Sequence, residues 1–216
     1  MRDAISILGA GDMARGIGTR LITTGTDITF YDRNLDKAKS LQQELQRGTT
    51  SNVRIESKRL GESLKGKIVI LALPYEIARN LARQYTEQLK NKILVDITNP
   101  IDFKNFTLLT PRGSSAAEEI AKIVSRSTKV VKSFNTTFAG TLVEGNVAGK
   151  QIDVFIAGDD QGAKGVISRL VQDSGMRPLD VGPLENSRAL EGMQLIHMAL
   201  QDKLGTNWMS GIKILP

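Results

Sequence analysis

The sequence predicts an α/β protein built on a Rossmann-type, doubly wound and mostly parallel sheet. Three observations carry that prediction. Short apolar runs alternate with amphipathic stretches, the mark of strands joined by crossover helices. The first apolar run flows straight into a glycine-rich turn, Gly9-Ala10-Gly11-Asp12-Met13-Ala14. An acid, Asp32, closes the second run about 20 residues on, where such folds recognise a ribose.

Residues 4–9 (AISILG) have the length and apolar character of a buried strand. Residues 13–22 carry helical spacing and stop at Gly25. Residues 27–31 (DITFY) are β-branched and aromatic, a second strand, and residues 35–45 (LDKAKSLQQEL) read as an amphipathic helix. Residues 53–56 read as a weak edge strand. Residues 67–73 (KIVILAL) form a buried strand ended by Pro74, and residues 75–90 a helix. Residues 93–97 (ILVDI) form a strand ending in Thr98-Asn99-Pro100. Residues 114–125 form a helix capped by Ser114 or Ser115, with glutamates in its first turns. Residues 129–134 (KVVKSF) form a strand ending in Asn135-Thr136-Thr137. Residues 152–157 and 177–181 are two more strands around a helix at 162–173. A long helix over 187–204 follows, and 211–215 is a candidate last strand. No linker interrupts the pattern. Residues 1–149 therefore read as a dinucleotide-binding core, and 150–216 as an extension of the same sheet with a small C-terminal helical lobe.

Composition narrows the function. The 216 residues are 40% hydrophobic and 24% charged, an ordinary globular balance. The absence of cysteine excludes disulfides, thiolate nucleophiles and zinc–thiolate sites. One histidine, His197, excludes a multi-histidine metal site, so no metal is expected. No apolar run reaches the ~18 residues of a membrane helix, and the first residues lack the pattern of a signal peptide. A cytoplasmic address without a membrane partner is the expectation. The net charge of +6 is dispersed and not interleaved with aromatics, which favours small anionic ligands over nucleic acid.

Each position of the glycine turn has a physical task. Gly9 makes the tight turn out of the strand, and Gly11 leaves room for a pyrophosphate to approach the backbone. Ala14, helped by Gly16, lets the helix pack close to the sheet. The diphosphate then sits at the helix N-terminus, where amides and dipole favour an anion. The second-strand tail is Tyr31-Asp32-Arg33-Asn34. Asp32 suits the ribose diol of NAD(H), whereas Arg33 suits the 2′-phosphate of NADP(H), so the spacing admits both cofactors. On sequence alone Arg33 is equally a solvated surface residue.

Ligands of such folds bind beyond the carboxyl ends of the strands. The tails there are Leu73-Pro74-Tyr75, Thr98-Asn99-Pro100 and Asn135-Thr136-Thr137, all neutral. They offer no acid–base pair, and no catalytic residue is assigned. That suits hydride transfer, which needs two rings held face to face. Asn99-Pro100 is equally a plain turn, and Thr136-Thr137 a plain cap. His197 lies in a mostly apolar stretch and reads as a core or interface residue rather than a general acid. Met193, Met198 and Leu200 read as packing residues.

Together these motifs resemble the coenzyme F420-dependent NADP oxidoreductases, and also the cytosolic reductase domain of six-transmembrane metalloreductases. The stretches that carry the resemblance are ISILGAGDMARGIGTRL, YDRNLDKA, VILALPYEIA, VDITNPI, VVKSFNTTFAG and DVGPLENSRALEGM, in that order. The resemblance implies that Gly9, Gly11, Asp12 and Met13 meet the pyrophosphate and that Arg33 meets the 2′-phosphate. Leu73 and Pro74 would flank the nicotinamide, with Asn135 and Thr136 lining the site. Ala14, Asp32, Asn99 and Pro100 complete the expected cofactor site, and Tyr75 joins the substrate side. The implied activity is hydride transfer between NADP(H), favoured over NAD(H), and a flavin or coenzyme F420, by a homodimer. The family tail after the second strand resembles Ser-Arg-Arg, whereas this chain has Asp32-Arg33-Asn34 and keeps only the middle arginine. A non-catalytic NADP(H) sensor and a reductase of another small substrate, such as an imine, are the alternatives. The short C-terminal lobe argues against the imine reductase.

Overall fold

A computed structural model describes residues 4–49 and 52–215. The glycine turn lies between β1 (Ile5–Leu8) and α1 (Asp12–Ile22), and β2 (Ile28–Asp32) closes the first βαβ unit. Then come α2 (Leu35–Arg47), β3 (Ile55–Arg59), β4 (Ile68–Leu71), α3 (Tyr75–Gln84), α4 (Thr86–Leu89) and β5 (Ile93–Asp96). A hairpin of β6 (Ile101–Asp102) and β7 (Thr107–Leu108) precedes α5 (Ala116–Ala121), β8 (Lys129–Lys132) and α6 (Ala139–Glu144). A second hairpin, β9 (Asn146–Val147) and β10 (Lys150–Gln151), leads to β11 (Asp153–Gly158), α7 (Gln161–Asp173) and β12 (Arg177–Asp180). A 3-10 turn, Leu184–Asn186, then opens α8 (Ser187–Ala199) and α9 (Gln201–Leu204).

Eight strands form the main sheet in the order β12-β11-β8-β5-β4-β1-β2-β3. The six from β3 to β8 run parallel, and β11 pairs with β8 in the opposite direction. β1 and β4 are buried on both faces, which explains their uninterrupted apolar runs. One face packs Ile7, Phe30, Ile70 and Val95 against α1 and α2, and the other packs Leu8, Val69, Leu71 and Leu94 against α3 and α5. No helix among the described residues is long and apolar enough to cross a membrane.

Several expectations need correction. The helix expected over 75–90 breaks at Tyr85, whose ring is buried and whose hydroxyl accepts from the amide of Gly61. The helix expected over 114–125 stops at Ala121, with Ser115 as its cap, accepting from the Glu118 amide. The helix expected over 187–204 breaks at Leu200. Gly16 does not serve the sheet. A Cβ there would stand 2.9 Å from Ala139 O and Leu142 Cβ, so its bare face receives α6.

Residues 211–215 form no strand, because side chains rather than a ladder hold them. The buried Asp153 carboxylate accepts from Arg177 Nε at 2.7 Å, Lys213 Nζ at 2.5 Å and the Ile214 amide at 2.9 Å. Burial alone would raise this carboxyl, but Arg177 and Lys213 outweigh it and hold the pKa at about 2, below the ordinary 3.8. A depressed carboxyl stabilises the fold above the unfolded-state pKa and loses that contribution as pH falls through the folded one. Both cations are partly solvated, so the contribution is at most about 2 kcal/mol. Stability should therefore fall between about pH 4 and pH 2 in the native protein and much less in Asp153→Asn. Chemical denaturation at both pH values checks this, and identical pH slopes would refute it.

Candidate active site

The site begins where β1 ends. Gly9 adopts φ +111°, and a Cβ there would lie 2.3 Å from Ala72 O, so only glycine fits. Gly11 is different. Its backbone is extended (φ −88°), it caps α1 without a side-chain partner, and an added Cβ would meet only Lys37 Nζ at 3.9 Å. That Cβ would stand in the space in front of the first amides of α1, which have no partner within the helix. A diphosphate fits this cradle on both shape and charge.

Asp32 ties the two halves of this end together. Its Oδ2 accepts from the Ala10 amide at 3.0 Å and its Oδ1 from the Asn34 amide at 2.9 Å. Asn34 in turn caps α2 by accepting from the Asp36 and Lys37 amides. Arg33 is exposed between these two anchored residues. Lys37, which the sequence reading missed, stands in the first turn of α2 beside Gly11. A basic residue one turn into the helix after Arg33 was the available signal.

Beyond the turn, Gly11, Asp12, Met13, Leu73, Pro74, Tyr75, Asn99 and Pro100 line one cleft of about 510 Å³. Ile97, Phe103, Leu109 and Met198 add apolar wall, and Glu76 lies at its border. A second cavity of about 320 Å³ shares Met13, Ile97, Asn99 and Met198 with the first and adds Asn135, Phe138, Gln194 and Trp208. Met198, expected only to pack, faces both. Gly9 and Ala14 are buried in the turn and the helix, Asp32 and Arg33 stand at the far end, and Thr136 is buried and lines neither cavity.

The tails are held in place by polar side chains. Asn99 Nδ2 donates to Asn135 O at 2.8 Å, and Asn135 Nδ2 donates to Asn99 Oδ1 at 3.0 Å. Phe134, just before Asn135, sits at φ +61°, a left-handed conformation that costs about 1–2 kcal/mol and turns the chain out of β8. Asn135 Oδ1 and Thr136 Oγ1 find no partner among the described residues. Burial, with Glu119, Glu76 and Glu191 adding to it against Arg79, raises the Tyr75 phenol, which stays protonated at the cleft.

Beneath the tails lies a charge cluster that the sequence reading did not foresee. Lys132 Nζ donates to Asp96 Oδ2 at 2.8 Å, Glu191 Oε1 at 2.7 Å and Thr98 O at 2.5 Å, with all three side chains fully buried. Burial works to lower the Lys132 ammonium, but Asp96 and Glu191 hold its pKa above the ordinary value. Burial raises the Glu191 carboxyl, against the pull of Lys132. His197 lies apart from this chemistry. It bonds Gln194 Oε1 and Ser210 Oγ, stacks on Phe138 at 4.5 Å, and is kept neutral by burial.

A bare turn on a helix N-terminus, opening onto an apolar cleft at the strand ends, is the architecture of NAD(P)-dependent oxidoreductases, and this chain is one. The family described as NADP oxidoreductase, coenzyme F420-dependent, matches residues 4–100. Over 222 residues the chain is 32% identical to the F420-dependent NADP reductase of Methanocaldococcus jannaschii, covering 97% of each. A crystallised protein of Arthrobacter sp. FB24, assigned as an F420-dependent NADP-reductase, superposes with a TM-score of 0.85 at 25% identity, covering 100% of both chains. The chain belongs to this family of F420-dependent NADP reductases. It is also 31% identical to rat metalloreductase STEAP3 over 88% of its own length, and spans 36% of that protein.

Proposed function

We propose that the protein transfers hydride between NADP(H) and a flavin or deazaflavin of the coenzyme F420 kind. The observation that carries this reading is the pair of adjoining cavities meeting at Met13, Ile97, Asn99 and Met198. One runs from the glycine turn and suits the dinucleotide. The other opens beyond it and suits a second ring. When bound, the nicotinamide supplies or accepts the hydride.

The residues of this chain do the rest by placement. Gly11, Asp12 and Met13 receive the diphosphate, with Gly9 and Ala14 shaping the turn. Asp32 braces the turn from below, while Arg33 and Lys37 offer cations to the 2′-phosphate. Leu73, Pro74 and Ile97 give the nicotinamide a dry floor, and Asn99 with Pro100 fixes its edge. Asn135 offers the acceptor a neutral amide from the wall of the second cavity, Tyr75 stands in the dinucleotide cleft, and Thr136, which lines neither cavity, touches neither ring. Around the meeting point of the two cavities the lining is apolar or neutral, with the Asp12 and Glu76 carboxylates of the first cleft solvated and in ion pairs, which favours ring-to-ring transfer over acid–base chemistry.

The test is an anaerobic assay of purified protein with NADPH against coenzyme F420, FMN, FAD, riboflavin, quinones and cyclic imines. NADPH oxidation with a flavin or deazaflavin is expected. Oxidation with no acceptor, or with imines alone, would overturn the proposal.

A further inference from the structure

We propose that the buried Asp96–Lys132–Glu191 cluster is a positioning device for the acceptor half of the cleft. This rests on the hydride-transfer reading above. The cluster joins four elements: Asp96 ends β5, Lys132 ends β8, Glu191 lies on α8, and both Glu191 oxygens accept from the Ala116 amide at the start of α5, at 3.0 and 3.1 Å. Lys132 uses its three N–H bonds on Asp96, Glu191 and the carbonyl of Thr98. Asp96 takes the Thr98 amide at 2.9 Å, so the tail leading to Asn99 is gripped through both its amide and its carbonyl. Next to Glu191, Leu190 O accepts from Asn135 Nδ2 at 3.2 Å, which fastens the other tail to the same turn of α8.

The geometry above the cluster shows what is being positioned. Gln194 and Met198 follow Glu191 by three and seven residues on the same helical face, and they line the cavities. The height of that wall over Asn99 and Asn135 is therefore set by the ion cluster. Well-packed apolar residues stabilise an interior as well as buried ions do, so stability alone does not call for charges here. Directional bonds do what apolar contacts cannot: they fix one register between α8 and the strand tails. The adenosine end stands on β1 and β2, away from the cluster. Because Asn99 and Met198 border both cavities, a displaced wall should disturb the meeting of the two rings and leave the grip on the diphosphate and adenosine in place, and an error of 1 Å in such geometry can cost about 100-fold in rate.

The test uses Glu191→Gln, which keeps shape and removes charge, with Lys132→Met as a second variant. NADP affinity is measured by titration, and kcat and KM by turnover with the active acceptor. Acceptor binding is read separately from quenching of Trp208, the chain's single tryptophan and part of the second cavity. For Glu191→Gln we expect NADP affinity within about twofold of native, and acceptor kcat/KM lowered about 10- to 100-fold with weaker quenching. Parallel loss of NADP affinity and turnover would show a merely structural cluster and overturn the proposal, as would native acceptor kinetics. If Lys132→Met does not fold, Glu191→Gln decides alone. Native protein that neither binds nor reduces any ring would instead overturn the hydride-transfer reading itself.

Discussion

Gly11→Val should fold normally and lose its dinucleotide. The backbone at Gly11 is extended, and its nearest neighbour to an added Cβ is the flexible tip of Lys37 at 3.9 Å, so the native fold tolerates the side chain. The ligand does not. Each amide–phosphate bond lost costs about 1.5–3 kcal/mol, so the Kd for NADP should rise by roughly 10- to 150-fold for each bond lost. Gly9→Val is the contrast. It meets Ala72 O at 2.3 Å in a left-handed conformation, and should fail at folding before binding is tested. Calorimetric titration beside a thermal melt separates the two. A Gly11→Val protein with native affinity would remove the basis for placing a diphosphate at this turn.

Arg33→Ala should abolish most of the preference for NADP over NAD. The neighbouring anchors hold the tail on either side, since Asp32 and Asn34 bond backbone amides and do not depend on the arginine. The substitution should therefore remove one charge-assisted contact without moving the turn. NADP binding should weaken by about 1.5–3 kcal/mol, roughly 10- to 150-fold, with NAD nearly unchanged. Equal losses for both dinucleotides would show that Arg33 does not meet the 2′-phosphate.

The parallel core was legible because its strands are buried on both faces and so write themselves as unbroken apolar runs, ISIL and IVIL above all. The glycine turn was legible because backbone geometry excludes other residues at Gly9. Short elements were not. The hairpin of β6 and β7 has strands of two residues each, too brief for any periodicity, yet it delivers Phe103 and Leu109 to the cleft. The helix break at Tyr85 comes from tertiary packing, which propensity does not record. The strand tails read as neutral, and the charges that brace them lie just below, in Asp96 and Lys132. A signal was present: an acid inside ILVDI and a base inside KVVKSF, on what become adjacent strands, are costly to bury unless they meet. The third member, Glu191, is 59 residues from Lys132 in the chain and only the fold brings it near.

The reversed strand β11 has an effect beyond the sheet edge. Because β11 and β12 run against the other six, the chain leaves β12 heading away from the strand tails that border the cleft. The last long helix then starts below those tails, where Leu184 lies near Thr128 and Val130, and it climbs past Glu191 until Met198 reaches the cleft. On the proposed reading, the nucleotide grip is built near the start of the chain, while one wall of the ring cavity, through Gln194, Met198 and Trp208, is supplied from its far end and can vary apart from the grip.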